Sequence, residues 1–324
     1  LRQDSLHSPA ELLIHIEQAI KETKYPSQPA SLYEPISYIM ELGGKRLRPI
    51  MLLMASELFN GTVKAALPAA MAIETFHNFT LIHDDIMDNA PLRRGKQTVH
   101  EKWGTNTAIL SGDVMMVEAN KHITEVHAGV LKAALDTFNA TAQGVCEGQQ
   151  LDMEFESRDD VSIAEYLNMI RLKTAVLVGG AMKLGAIVAH ASKEEADLIY
   201  QFGESLGIAF QLQDDILDVY GDPEKFGKQV GGDILSDKKT YMRLKLQELA
   251  SAEDLNQLDG LKHDGDKVNK VTALYNTYNI REEATAIMKK YLDDAFAALE
   301  KISVDNSNKE PLTMLANQLM FRES

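Results

Sequence analysis

The sequence predicts an all-α fold, and three observations carry that expectation. Apolar residues recur with the 3.6-residue period of a helix through nearly the whole chain. Sustained two-residue alternation of strand type is absent, and the turn-rich pieces between periodic stretches are short. Without a clear linker, one domain spanning residues 1–324 is expected.

The stretches follow one another closely. The first, 9–24, opens on Pro9, which suits a first helical turn because the missing N–H would have no partner there. Stretches 31–42 and 48–59 flank the glycines at 43 and 44, with Pro49 opening the second of them. Gly61 marks a stop, and Pro68 a first turn, for the stretch 67–88. Stretches 105–127 and 130–157 come next. Ser162 and Ser192 each precede a glutamate three residues on, Glu165 and Glu195, in the reciprocal pattern of a capping box, and open 162–190 and 193–221. Gly221 ends the latter, and 238–250, 266–277, 280–303 and 309–321 complete the series. No repeat of solenoid length appears.

Composition narrows the function. Of 324 residues 45% are hydrophobic and 25% charged, which is ordinary for a globular chain able to bury a large core. No apolar run approaches the roughly 20 residues needed to cross a bilayer, and the first residues lack the apolar stretch of a signal sequence. A start at Leu1 fits a trimmed or processed end. Cys146 is the sole cysteine, so neither a disulfide framework nor a thiolate zinc site is expected, and a cytoplasmic location fits. The net charge of −15 argues against a nucleic-acid partner. An anionic substrate would need local cations and metal ions.

Two clusters of the same spacing supply the metal sites. HDDIMD at 83–88 and QDDILD at 213–218 each end an apolar helical stretch, 130 positions apart. Asp84 with Asp88, and Asp214 with Asp218, stand four residues apart and share one helix face. Like charges there repel unless a cation neutralises them, so each cluster is a candidate for a hard divalent ion. A solvated acidic face also produces one such cluster; two copies shift the reading towards metal.

The cations an anion would need lie in loops. GGKRLRP at 43–49 brings Lys45, Arg46 and Arg48 together beside freed backbone, in the manner of a diphosphate cradle. LRRGKQTVH at 92–100 puts Arg93 and Arg94 close behind the first cluster. FGKQVGGDILSDKKT at 226–240 is glycine-rich, carries Lys228, Asp233, Lys238 and Lys239, and reads as a mobile lid closing cations over phosphate. Lys173 interrupts an otherwise apolar helix, where a charge without a partner is costly. The 14 methionines read as core filler, and Trp103 as packing or a loop anchor.

Taken together these residues resemble the trans-prenyltransferases, the polyprenyl diphosphate synthase family. The two aspartate motifs, Arg93-Arg94 after the first, Phe210-Gln211 before the second, GGKRLRP, LSGDVM around Asp113, EGQQLD from Glu147 to Asp152, and LKTA around Lys173 and Thr174 carry the likeness. It spans about residues 30–245. The resemblance implies a large all-α bundle of the isoprenoid synthase type around a central active-site cavity. It implies a reaction as well: an allylic diphosphate ionises, isopentenyl diphosphate attacks the cation, and a proton leaves to the released diphosphate. Asp84, Asp85, Asp88, Asp214, Asp215 and Asp218 would hold Mg²⁺, three ions with substrate bound. Arg93, Lys173, Lys228 and Lys238 would grip the allylic diphosphate; Lys45, Arg48, His77 and Arg94 would hold isopentenyl diphosphate; Thr174 and Gln211 would lie near the reacting carbons. A homodimer is also implied.

Product length is implied by what precedes the first cluster. Phe79 lies five residues before Asp84, about 7.5 Å along a helix axis, and Thr80 shares the face of Asp84. A bulky Phe79 closing the chain's tunnel predicts a short product, twenty carbons first and fifteen second. The threonine of KKTYM at 238–242 lacks the proline that usually follows in this family, which leaves open where the next helix starts. A terpene cyclase would not need the second motif or GGKRLRP. A non-catalytic partner subunit would be expected to lose aspartates or cradle cations, and none is lost. A di-iron bundle would need matching Glu-x-x-His pairs that are missing.

Overall fold

Most of the helices stand where the periodicity puts them, and those signalled by Ser162 and Ser192 carry the caps the sequence marks. The computed structural model of the chain describes residues 6–222, 230–261 and 265–320. Helix α1 (Pro9–Glu22) begins with Pro9 in its first turn and a reciprocal Ser8–Glu11 capping box, and buries Leu12, Ile16 and Ile20. After α2 (Ala30–Glu41) and α3 (Leu47–Leu58) comes α4 (Val63–Met87), whose last turn carries the first aspartate cluster. Its start corrects the expectation for Pro68. Thr62 caps the helix by accepting from the N–H of Ala65, so Pro68 falls in the second turn and forgoes one intrahelical bond.

The remaining elements are a hairpin, β1 (Leu92–Arg93) with β2 (Lys96–Gln97), then α5 (Val99–Trp103), α6 (Thr105–Thr124), α7 (Leu131–Ser157) and α8 (Ile163–Ile170). A π-helical turn (Arg171–Ala175) leads into α9 (Val176–Val188), followed by α10 (Lys193–Tyr220). Among the described residues there follow α11 (Gly232–Leu235), α12 (Tyr241–Leu249), α13 (Ala252–Gly260), α14 (Lys267–Thr277), α15 (Ile280–Lys301) and α16 (Asn306–Met320). The expected boxes at Ser162–Glu165 and Ser192–Glu195 are both formed. Thr240 caps α12 by accepting from the N–H of Arg243, which places that helix start at 241 rather than 238.

The chain divides into two compact units. One comprises Leu1–Ala142, Gly180–Tyr200 and Ile302–Leu312; the other comprises Gln143–Gly179, Gln201–Lys301 and Thr313–Ser324. Each unit draws on three separated stretches, so no single cut of the chain parts them. In the first, α3 and the middle of α4 are apolar nearly all round and therefore buried, with Ile50 to Leu58 and Ala69 to Phe76 in the core. In the second, Tyr166, Ile170, Leu212, Ile216, Leu244, Val271 and Tyr275 pack into one core. Among the described residues no helix is long and apolar enough to cross a membrane.

One cation of the GGKRLRP stretch belongs to this scaffold. Arg46, 3% exposed and left-handed at φ 47°, donates to Glu17 Oε1 at 2.9 Å, to Glu74 Oε1 at 2.7 Å and to the carbonyl of Met40. It is thus removed from the expected diphosphate cradle, because α1 and α4 supply its carboxylates. Arg46→Ala would leave Glu74 buried without its cation, and a loss of about 3–5 kcal/mol in urea unfolding is expected.

Candidate active site

In the first unit the site is assembled from the end of α4, the hairpin and the loop before α3. Arg94 and Gly95, both at positive φ (53° and 74°), form the two-residue turn that twist-matched hairpins use. This turn presents two adjacent arginines differently. Arg93 points back to Asp85 and holds it with three bonds of 2.7–3.0 Å. Arg94 donates to the carbonyl of Gly43 and lies so close over Gly44 that a Cβ there would meet its Cζ at 2.8 Å. Glycine at 44, with φ +135°, is therefore required by the close approach as well as by the backbone.

The second half of this cradle comes from α3 and α4. Arg48 donates from its Nη1 to His77 Nε2 at 3.3 Å, while its buried Nε has no hydrogen-bond partner. Burial, and then the charges of Arg48, Arg94, Arg93 and Arg46, hold the His77 imidazole well below the ordinary histidine range, so it is neutral at neutral pH. Lys45 stands exposed beside them. The guanidinium groups of Arg48 and Arg94 beside a neutral histidine, with one Arg48 donor buried and unsatisfied, form a pocket of positive potential suited to a multiply charged anion.

Each residue of the first aspartate cluster has a different environment. Asp85 is 1% exposed and committed to Arg93, whereas Asp84 is half-buried and Asp88 exposed at the C-cap of α4. The last turn of α4 has no basic residue, so the negative end of the helix dipole adds to the repulsion between Asp84 and Asp88. A divalent cation relieves both. Among the described residues no three acidic, histidine or cysteine side chains converge as a ready metal cage.

Below the cluster, Phe79 is wedged between Phe76 and His83, with ring centroids 5.5 and 4.7 Å away. Thr80 turns its hydroxyl onto the carbonyl of His77 at 2.7 Å. His83 lies against α6, its Nε2 3.2 Å from the carbonyl of Ile109, and a Cβ on Gly112 would meet that nitrogen at 2.3 Å. Sequence reasoning missed His83 and Gly112, whose pairing only the α4–α6 packing creates.

In the second unit α10 carries Gln211, Asp214, Asp215 and Asp218. Asp215 is 3% exposed; Gln211 Nε2 donates to its Oδ1 at 3.2 Å and the Tyr166 hydroxyl donates to its Oδ2. Burial pushes its carboxyl up to about 7, against the opposing pull of Lys238 and Tyr166. Asp214 and Asp218 are half-buried on one face. Asp218 Oδ2 accepts from the N–H of Asp233 at 3.0 Å and its carbonyl from Gly231 at 2.6 Å, so the described part of the glycine-rich stretch folds onto the cluster as α11. Lys238 follows, its Nζ 3.9 Å from Asp233 Oδ1. Lys228 lies outside the described residues.

Lys173 and Thr174 sit in the π-helical turn, where the wider winding redirects two neighbouring side chains. Lys173 pairs with Asp152 Oδ2 at 2.5 Å, and Thr174 donates to Gln211 Oε1 at 3.4 Å. Gly148 of α7 lies against this turn: a Cβ there would meet the backbone nitrogen of Lys173 at 2.1 Å. Asp152 falls within a segment the sequence marks, but its partner, 21 residues on, is set by tertiary structure.

Comparison with known proteins agrees with this chemistry. The profile of the Polyprenyl synthetase family matches residues 29–278. The chain is 43% identical over 231 residues to a geranylgeranyl diphosphate synthase of Methanosarcina mazei, covering 70% of this chain and 71% of that protein. It is 38% identical over 312 residues to a short chain isoprenyl diphosphate synthase of Methanothermobacter thermautotrophicus, covering 95% of each. A crystal structure of a geranylgeranyl pyrophosphate synthase superposes with a TM-score of 0.92 at 43% identity, over 98% of this chain and all of that one. This all-α chain belongs to the polyprenyl synthetase family and is a trans-prenyltransferase of the short-chain type.

Proposed function

We propose that the protein condenses isopentenyl diphosphate with an allylic diphosphate to make geranylgeranyl diphosphate, with farnesyl diphosphate as the second candidate product. The observation that carries this reading is the cradle of Arg48, Arg94 and neutral His77, with the buried donor of Arg48 unsatisfied, four helical turns or less from the aspartates of the same helix. In this reading Lys45, Arg48, His77 and Arg94 bind isopentenyl diphosphate. Arg93, Lys173, Lys228 and Lys238 bind the allylic diphosphate.

Asp84, Asp88, Asp214 and Asp218 are the carboxylates that would hold Mg²⁺, three ions with substrate bound. Asp85 and Asp215, expected as further ligands, have their oxygens engaged by Arg93 and by Tyr166 with Gln211, and serve to anchor the clusters. Mg²⁺ when bound supplies positive charge at the departing diphosphate, which lowers the barrier to ionisation. Lys173 and Lys238 add fixed charge at the same leaving group. Thr174, its hydroxyl held by Gln211, turns its oxygen lone pairs towards the allylic carbons, and apolar helix faces keep water away.

Chain length follows from Phe79. Pinned between Phe76 and His83, its ring acts as a floor about 7.5 Å below Asp84. Phe79→Ala would lengthen the product, read by chromatography of the dephosphorylated alcohols; an unchanged length removes Phe79 from this role. Residues 1–324 would act as one synthase domain in the cytoplasm. A homodimer is supported by Ile109, Leu110 and Val117, which stand 40–57% exposed along α6, and light scattering of the purified protein tests it.

A further inference from the structure

We propose that Tyr166 is a positioning residue for prenyl transfer, acting through Asp215 and Gln211 on Thr174; the inference rests on the roles proposed above for Gln211 and Thr174. Four side chains from α8, the π-helical turn and α10 form one directed chain. The Tyr166 hydroxyl donates to Asp215 Oδ2, Gln211 Nε2 donates to Asp215 Oδ1 at 3.2 Å, and Thr174 donates to Gln211 Oε1 at 3.4 Å.

The direction of the chain follows from the donor inventory. A glutamine amide has one donor end and one acceptor end, and crystallographic shape does not distinguish them; its partners do. With Oδ2 of Asp215 taken by Tyr166, the oxygen facing Gln211 is Oδ1, which in the ionised carboxylate can only accept. The amide must then turn its Nε2 towards Asp215 and its Oε1 towards Thr174. Thr174, having given its proton to Gln211, keeps its lone pairs for the opposite side. Gln211 and Asp215, four residues apart on one face of α10, are placed for this bond by the helix itself.

Tyr166 is suited to the task. It is 1% exposed and among the largest fully buried side chains, so its ring is fixed by the surrounding core and its hydroxyl is shielded from bulk solvent. The backbone of Tyr241, the first residue of α12, three positions after Lys238, also favours the ionised form of this hydroxyl, against the stronger effect of burial. One phenol thus joins the second aspartate cluster to the Gln211–Thr174 pair. Nothing in the sequence pattern marks it: Tyr166 reads as an apolar helix position, 49 residues from its carboxylate partner.

Tyr166→Phe keeps the ring and removes the donor. With dimethylallyl or farnesyl diphosphate, isopentenyl diphosphate and Mg²⁺, kcat should fall about tenfold or more, while KM for both diphosphates changes less than about twofold. Installing 4-aminophenylalanine at position 166, which restores a donor, should recover most of the loss. Combining Tyr166→Phe with Thr174→Val should give an enzyme no slower than the slower single variant, since both break one chain. An unchanged kcat, a loss carried by KM, or effects that multiply would overturn the proposal and assign Tyr166 to the core alone. If Tyr166→Phe does not fold, 3-fluorotyrosine at 166 replaces it, and kcat must still shift at constant KM for the proposal to stand. Wild-type protein in the same assay separates the two readings: failure to elongate any primer defeats the proposed reaction, whereas normal elongation with indifferent variants defeats this inference only.

Discussion

Asp88→Asn should abolish most prenyl transfer while leaving the fold as stable as before or slightly more so. Asp88 is the exposed C-cap of α4 and shares a face with Asp84. Removing its charge relieves repulsion with Asp84 and with the negative end of the helix dipole, by about 0.3–1 kcal/mol. Asparagine also tolerates a C-cap position well. The same change removes one of two carboxylates able to hold a cation at this helix end. Fixed charge at a developing anion is commonly worth about 10²–10³ in rate, or roughly 3–4 kcal/mol of activation free energy. Loss of kcat on that scale, together with an equal or higher melting temperature, is the expected result. Mg²⁺ with inorganic diphosphate should raise the melting temperature of the wild type, because ligands that bind only the folded state stabilise it. The variant should lose most of that rise. Asp85→Asn should behave oppositely, lowering the melting temperature, since it breaks a buried pair with Arg93.

Gly148→Ala should damage the site from outside it. The added methyl would lie 2.1 Å from the backbone nitrogen of Lys173 and 2.6 Å from the carbonyl carbon of Leu172, so one helix or the π-helical turn has to move. Overpacking of this kind costs about 1–3 kcal/mol. The kinetic effect should be larger, because Lys173 and Thr174 ride on the displaced segment and a shift near 1 Å can cost about 100-fold. Gly144→Ala provides the contrast one turn earlier in α7. Its Cβ would meet side-chain atoms alone, a methyl of Val176 at 3.3 Å and one of Leu172 at 3.6 Å, and a small rotamer adjustment relieves the closer contact. Steady-state kinetics and thermal melts of the two variants should therefore diverge, with activity lost in the first and largely kept in the second.

The helices and their caps were legible because both signals are local. Ser162–Glu165 and Ser192–Glu195 form the expected boxes, and Ser8–Glu11, before the Pro9 first turn, forms one that was not read. The hairpin at 92–97 was not read, since two-residue strands are too short to show alternation, although Arg94-Gly95 carried a turn signal. Helices α5, α11 and α13 are also too short for a period to emerge. The π-helical turn depends on the close approach of Gly148, and nothing in RLKTA itself announces it. The aspartate triplets show the same division between local and tertiary information. Spacing identifies three carboxylates in each, but only packing separates the buried anchors Asp85 and Asp215 from the pairs left on the helix face. Arg46 is the clearest case: beside Lys45 and Arg48 in sequence, it is withdrawn by glutamates 29 and 28 residues away.

The most direct test incubates the protein with dimethylallyl, geranyl or farnesyl diphosphate, isopentenyl diphosphate and Mg²⁺, and sizes the products. Elongation ending at twenty carbons is predicted, abolished when Mg²⁺ is chelated. Absence of an elongated diphosphate from every primer would contradict the account.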